Sequence, residues 1–160
     1  MDYIIYPAHY RKIDDRIQTV EEHLLGVGKL CSEYAKKHGF ECTGKLLGIL
    51  HDLGKYTSDF RNYITEGIHR EKEGLKPQGS IVDHGKYGAI FIYKCYPQNS
   101  LFDKVIMEIM SMVICYHHGG LEDYITDDLD CKLFNRCKVV NQDDEKNYKE
   151  ACDRLYERVL

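Results

Sequence analysis

Apolar residues recur at intervals of three and four along most of this chain, which is the spacing of one buried face of an α-helix. One such run begins after a capping box from Thr19 to Glu22 and stops before Gly39, a residue typical of helix ends. Alternation of apolar and polar residues, which is typical of a strand, persists nowhere. The chain is therefore predicted to fold as an all-α helical bundle. The apolar positions of this first run are Val20, Leu24, Val27, Leu30 and Tyr34.

Capping and helix-breaking residues predict where the other helices lie. A second helix is expected from Thr43 to His51, and a short third helix follows a Ser58 cap and ends near Gly67. A loop rich in glycine and charged residues then continues to residue 80. The most apolar helix, expected to be the most buried, follows a Ser100 cap. Two others are expected to begin near His84 and near Asn141.

The composition fits a single domain that spans residues 1–160, because 43% apolar residues are enough for a core. With a formal charge of −4, the chain lacks the overall positive charge that is typical of nucleic-acid-binding proteins, which argues against a basic binding module. Seven cysteines form no CxxC pair, so we expect reduced thiols in a cytoplasmic protein. Neither a signal peptide nor a membrane span is evident, and we expect no membrane partner.

The doublet His51-Asp52 is the most informative motif, because adjacent His and Asp residues are typical of metal ligands. Further histidines occur where helices are predicted to begin, to end or to face inward. Five imidazoles and one carboxylate suit borderline transition metals, and they exceed what one ion with open positions would use. We therefore predict a two-metal hydrolytic site. Its remaining predicted ligands are His23, His84, His117 and His118.

Asp52 is the predicted bridge between the two ions, because a carboxylate has two oxygens and an imidazole cannot bridge in this way. Two cations roughly 3.5–4 Å apart activate a water and stabilise the leaving oxygen of a phosphodiester. Lys55 follows Asp52 by three residues and can place an ammonium against the scissile phosphate. Asp52 and Lys55 are therefore the predicted catalytic residues.

Simpler interpretations exist for each residue taken alone. A single inward histidine such as His23 is more often a satisfied core residue than a ligand. The order His, His-Asp, His and His-His on four separate helices favours the metal site. The scattered cysteines favour core or surface thiols over zinc ligands. His9, His38 and His69 match no pattern, and we expect them to be surface or structural residues.

These motifs resemble the HD superfamily of metal-dependent phosphohydrolases. More narrowly, three segments resemble the CRISPR-associated HD nuclease of type I systems, which is a domain of a helicase–nuclease or a separate small subunit. The resemblance covers residues 23–121. Its segments are Lys55–Ile64 (KYTSDFRNYI), Asp83–Ala89 (DHGKYGA) and Tyr116–Leu121 (YHHGGL).

The resemblance implies an HD-domain helical bundle with a metal site at its centre, which cuts single-stranded DNA. It implies up to two divalent ions, and the imidazole-rich ligand set favours Mn, Co, Ni or Fe over Mg. The partners that it implies are the helicase, fused or separate, and an RNA-guided surveillance complex that opens the target. It also implies ligand sets of His23, His51 and Asp52 for the first ion, and of Asp52, His84, His117 and His118 for the second, with Lys55 as the catalytic or phosphate-contacting lysine.

One feature of the family is missing. The family normally supplies a further Asp to the first metal from a late helix, in a short apolar context, and no such segment stands here. Either the chain ends before that helix, or the first site is incomplete. The late carboxylates instead lie in a polar helix start, at Asp143 and Asp144, or in an acidic loop, at Asp128 and Asp130.

Two rival functions stay open at this point. One is an HD phosphohydrolase that acts on nucleotides or cyclic dinucleotides, against which the double His and the segment around Phe60 argue. The other is a non-catalytic, metal-stabilised interaction domain, which the intact Lys55 disfavours.

Overall fold

The computed structural model of the chain describes residues 4–76, 82–120, 131–137 and 141–160. Helices dominate these residues, as the all-α prediction requires, and a two-stranded antiparallel hairpin precedes them. The elements are β1 (Pro7–Arg11), β2 (Arg16–Thr19), α1 (Val20–Lys36), α2 (Glu41–Leu50), a 3-10 helix (Leu53–Tyr56), α3 (Ser58–Lys72), α4 (Lys86–Cys95), α5 (Leu101–Cys115), α6 (Lys132–Cys137) and α7 (Gln142–Arg158).

The hairpin contradicts the expectation that no strand would form. Its register steps from the pair Pro7 and Thr19 to the pair His9 and Gln18, so Ala8 is an extra residue in β1. This arrangement is a β-bulge, which breaks the alternation of side chains along a strand. Pro7 and Ala8 are accordingly both buried although they are adjacent. A period-two search cannot find a strand whose alternation is interrupted in this way.

The predicted helix caps are largely confirmed. Both hydrogen bonds of the capping box form at Thr19, and Ser100 caps α5 in the same way with Asp103. Asn141 accepts a hydrogen bond from the Asp144 backbone at the start of α7.

The prediction for α3 was wrong at both of its ends. Thr57 is the cap instead of Ser58, and the helix continues past Gly67 to Lys72. Gly67 does not end the helix, although glycine there costs about 0.5–1 kcal/mol relative to alanine. Its position is open, with no atom within 4 Å of a Cβ built there. The left-handed backbone of Gly74, with φ of 69°, follows the actual end of the helix. The predicted loop therefore begins several residues later, and its positions 77–80 lie outside the described residues.

Helix α5 is less buried than its apolar composition suggested. Met107, Met110 and Ile114 are buried in the core. On the opposite side, Val105 and Ile109 are 43% and 52% exposed in the part of the chain that the structure describes. One face of the helix is therefore buried and the opposite face is exposed, although both faces carry apolar residues.

Glycines allow the helices around the site to approach closely. A Cβ at Gly48 of α2 would lie 2.7 Å from the Cα of Gly28 on α1. A Cβ at Gly88 of α4 would lie only 1.9 Å from the carbonyl oxygen of Leu50, the last residue of α2. Helix α2 is thus held between α1 and α4 at backbone contact, which places its C-terminal end at the centre of the molecule.

Helix α7 packs against the other side of that centre. Ala151 and Leu155 are buried, as the predicted apolar stripe requires. Glu150 accepts hydrogen bonds from both the backbone and the hydroxyl of Ser58, at the start of α3. Arg154 donates a hydrogen bond of 3.1 Å to the hydroxyl of Tyr6. These contacts join the last helix to the start of α3 and to the region just before the hairpin. None of the helices in the described residues is both long and apolar enough to cross a membrane.

We expect Gly88→Ala to destabilise the fold by about 1–3 kcal/mol or more, because the added methyl group meets backbone that must move apart. Gly67→Ala is the matched control in an exposed helix, and it should stabilise the protein by about 0.5–1 kcal/mol. Urea denaturation of the two variants measures both changes. Equal stability of the two variants would contradict the close packing of α2 and α4.

Candidate metal centre

Asp52 lies at the centre of the site, between the end of α2 and the 3-10 helix. Its side chain is only 2% exposed, and the neighbouring residues Leu50 and Leu53 are fully buried. A buried carboxylate is costly unless cations or hydrogen-bond donors surround it. The groups around Asp52 therefore determine what the site can bind.

One carboxylate oxygen, Oδ2, faces two imidazoles. His23 of α1 places Nε2 at 2.9 Å from this oxygen, and His51 places Nε2 at 3.2 Å. The two Nε2 atoms are 3.1 Å apart. The close glycine packing of α1 on α2 brings these two histidines together, although they are far apart in sequence.

The other oxygen, Oδ1, faces the remaining three predicted ligands. The Nε2 atoms of His117, His84 and His118 lie 3.2, 3.3 and 3.6 Å from it. His84 precedes α4, and the double His follows α5, so two helix ends converge on this oxygen. The structure thus brings all six predicted ligands together around one carboxylate.

Backbone carbonyls fix the orientation of three of these rings. The Nδ1 atoms of His51, His84 and His117 lie 2.8, 3.0 and 2.6 Å from the carbonyl oxygens of Gly48, Val82 and Ile114. A carbonyl only accepts, so each Nδ1 carries a proton and donates it, and Nε2 offers its lone pair to a cation whenever the imidazole is neutral. This arrangement is typical of metal-ligating histidines. The nitrogen atoms that face Asp52 are therefore suited to bind a cation.

Lys55 is buried beside the ligands, with a side chain 3% exposed. Its ammonium donates to Asp52 Oδ2 over 2.9 Å and lies 3.5 Å from the carbonyl oxygen of Ala8. It also lies 5.6 Å from the centre of the Phe60 ring. In this position it compensates the charge of Asp52. Its predicted contact with a substrate phosphate stays a prediction.

His9 also joins the site, although its sequence context predicted a surface or structural residue. Its Nε2 lies 3.0 Å from the Lys55 ammonium, and its ring is 4.6 Å from the ring of His23. Partial burial of the ring, followed by the neighbouring ammonium, lowers the pKa of His9 to about 4, although the residue as a whole is exposed. The neutral form of His9 is therefore favoured at neutral pH. No sequence signal marked this residue, because the bulge at Ala8 hides the strand that carries it.

The remaining candidates lie away from the centre. His69 is exposed on α3, 3.5 Å from Glu73, and His38 is exposed after α1. Asp144 forms an ion pair with Lys86 and accepts from the hydroxyl of Tyr87 over 3.4 Å. Neither a cysteine nor a second carboxylate belongs to the ligand groups among the described residues. Asp128 and Asp130 lie outside the described residues.

The electrostatics of the site favour a charged carboxylate. Burial raises the pKa of Asp52, but hydrogen bonds with the surrounding imidazoles outweigh burial and hold this pKa well below its ordinary value. Burial lowers the pKa of His117, whereas its hydrogen bonds to Asp52 and to the Ile114 carbonyl raise it, with a net increase. The pKa of His118 is lowered by burial and by the neighbouring imidazoles.

The described residues contain three groups that could hold a metal ion, and Asp52 belongs to all three. Within each group the ligand atoms lie within 4.8 Å of one another, so small shifts of the side chains bring them to metal–ligand distances of roughly 2.0–2.2 Å around one ion. The donor set of imidazole nitrogens and one carboxylate fits divalent transition metals. The three groups are His9, His23 and Asp52; His51, Asp52 and His117; and Asp52, His84 and His118.

The chain is a helical domain in which a His-Asp doublet lies where several helices meet, and this combination is typical of one class of metal-binding proteins. Residues 20–157 match the model of the HD domain family, and the chain belongs to that family. HD domains are in general metal-dependent phosphohydrolases, and the His/Asp cluster is consistent with that chemistry. No curated protein sequence matches the chain. The predicted membership in the HD superfamily is therefore confirmed.

We expect Asp52→Asn to abolish tight metal binding, because Asp52 belongs to every ligand group. The change also leaves the buried Lys55 ammonium without its anion. Breaking such a pair costs about 3–5 kcal/mol, and we expect the lower end because the amide keeps an acceptor. Metal analysis after dialysis and thermal unfolding measure the two effects. Asp143→Asn, in an exposed helix start, is the control, and similar metal loss in both variants would contradict this assignment.

Proposed function

We propose that this chain is a metal-dependent nuclease that hydrolyses phosphodiester bonds of single-stranded DNA in CRISPR type I interference. The observation that carries the proposal is the division of the imidazoles between the two oxygens of Asp52. His23 and His51 face one oxygen, and three other histidines face the second. One carboxylate between two nitrogen sets is the arrangement that two bridged cations need.

The first ion would be held by His23, His51 and Asp52, and the second by Asp52 and the histidines on its Oδ1 side. Two such ions would supply an activated water and would stabilise the leaving oxygen. The role of the protein is to hold these ligands rigidly. The backbone carbonyls that orient three of the imidazoles perform this role, and the burial of Asp52 keeps water away from its ligand oxygens.

The composition of the ligand set bears on the choice of metal. Imidazole nitrogens favour Mn, Fe, Co and Ni over Mg, which prefers an octahedral shell of oxygens. Asp52 is the sole carboxylate of the groups found among the described residues. We therefore expect transition metals to support more activity than Mg.

The shape of the site favours a polymer over a small nucleotide. The histidine rings form a continuous row, with neighbouring ring centres 3.8–5.1 Å apart. In the described residues, His9 is exposed at one end of the row, and the His118 side chain is 60% exposed near the other end, where the terminal ring of His84 is 14% exposed. Sites for small molecules usually enclose most of their ligand. The exposed residues His9 and His118 on either side of the half-buried histidines instead give a strand room to pass across the site.

The charge of the chain supports a requirement for partners. With a formal charge of −4, the chain has no global attraction for DNA, and its metal ions would supply much of the local positive charge. The proposed partners are a CRISPR-associated helicase, fused or separate, and an RNA-guided surveillance complex. They would deliver the strand that the chain itself binds weakly.

We expect the purified chain to cut circular single-stranded DNA in Mn, Co, Ni or Fe and to spare blunt duplex. A circular substrate has no ends, so its cleavage requires endonuclease action. Gel electrophoresis with each metal and with chelator measures the effect. Asp52→Asn should be inactive, whereas His69→Ala should match the parent because His69 lies on exposed α3. Full activity in chelator would overturn the proposal.

A nucleotide panel separates the proposed nuclease from the rival HD phosphohydrolase. We expect deoxynucleoside triphosphates and cyclic dinucleotides to be hydrolysed at least roughly 100-fold more slowly than single-stranded DNA per enzyme, a preference of about 2.7 kcal/mol. Chromatography of the products under identical metal conditions gives the two rates. Faster turnover of any nucleotide than of DNA would favour the rival function. Tight metal binding without hydrolysis of either class would favour the non-catalytic domain.

A further inference from the structure

The first metal site contains one ligand fewer than the second in the set that the sequence predicted. The resemblance calls for a late Asp at this place, but Asp144 pairs with Lys86 instead. Among the described residues, the only additional ligand-type side chain grouped with His23 and Asp52 is His9. In that part of the chain, the additional ligand beside His23 and Asp52 is thus an imidazole from the hairpin and not a second carboxylate.

The backbone of β1 directs His9 toward this position. The bulge at Ala8 buries that residue and turns the next side chain onto the site. The His9 ring packs edge to face on the ring of His23, with 4.6 Å between their centres. Its Nε2 lies 3.0 Å from the Lys55 ammonium, which is a donor only, so this nitrogen presents its lone pair to the site.

We infer that His9 is a ligand of the first metal ion, together with His23 and Asp52. The inference rests on the proposed two-metal function and deepens it. With His9, the first site gains a neutral nitrogen ligand in place of a second anion. The chemical class of ion that this site takes is therefore a transition metal that accepts imidazole, such as Co, Ni or Zn, in preference to Mg.

Substitution of Lys55 shows whether His9 binds the metal ion itself or only holds the Lys55 ammonium in place. The ammonium donates to Asp52 Oδ2 and lies against His9 Nε2, which are two of the atoms that the ion would use. A cation and an ammonium compete for these lone pairs. Lys55→Met should therefore tighten binding at the first site. If His9 acts only through Lys55, its removal should have no effect in the Lys55→Met background.

The test is a cobalt titration followed by visible absorption, with metal content measured after equilibrium dialysis. The variants are His9→Ala, Lys55→Met and the double variant. His84→Ala identifies the second site, and His69→Ala is the matched control for loss of an exposed imidazole. Circular dichroism checks that each variant folds. A second substitution, His9→Gln, keeps the size of the side chain while it removes the imidazole.

We expect the parent and His69→Ala to bind two cobalt ions. Both His9 variants should weaken the binding of one cobalt ion by at least roughly tenfold, because even loss of an outer-shell partner costs 10–100-fold in metal affinity. The affinity for the other cobalt ion should be unchanged in the His9 variants and should be lost in His84→Ala. The loss should persist in the Lys55→Met background. Two ions with unchanged affinity in His9→Ala, or a loss that disappears without Lys55, would overturn the inference.

Cobalt binding and DNA cleavage test the His9 ligand and the proposed nuclease separately. Cobalt binding that depends on His9, without any cleavage of DNA, would refute the nuclease and keep the ligand. Cleavage of DNA with cobalt binding that is independent of His9 would keep the nuclease and refute the ligand. A parent chain that binds no cobalt would refute both.

Discussion

The buried carboxylate of Asp52 is the constraint on which the arrangement of the site depends. A charge that is 2% exposed must be compensated by groups within a few ångströms, and this chain supplies imidazoles and one ammonium. These groups come from the hairpin, from α1, from the end of α2 and the 3-10 helix, and from the residues beside α4 and α5. Most of the fold therefore contributes to the environment of one side chain.

Close backbone packing makes this convergence possible. Side chains that reach a common point need their helices to be near one another, and Gly48 and Gly88 remove the atoms that would hold α2 away from α1 and α4. The 3-10 helix after Asp52 is packed in the same way, because a Cβ at Gly54 would lie 2.3 Å from the carbonyl oxygen of His84. Rigidity of this kind fixes ligand positions without any covalent link.

Local signals in the sequence predicted most of the helices and the identity of six clustered residues. Caps such as Thr19 and Ser100 act through their own backbone neighbours, so a single sequence is sufficient to find them. His9 could not be predicted, because its approach to the site depends on an interrupted strand and on the packing of the hairpin. The end of α3 was misplaced because a glycine in an open helical position, Gly67, resembles a glycine that ends a helix. The burial of α5 was overestimated because composition cannot show which apolar face is covered.

The bulge at Ala8 makes the direction of the neighbouring side chains depend on the number of residues in β1. Side chains alternate along a strand with a period of two, so removal of one residue here would restore regular alternation and reverse the face on which later side chains lie. Replacement of Ala8 by a similar small residue keeps that count and leaves the directions unchanged. This segment should therefore tolerate changes of residue type far better than changes of length, and natural variants of the hairpin should preserve the single residue between Pro7 and His9 more strictly than its identity.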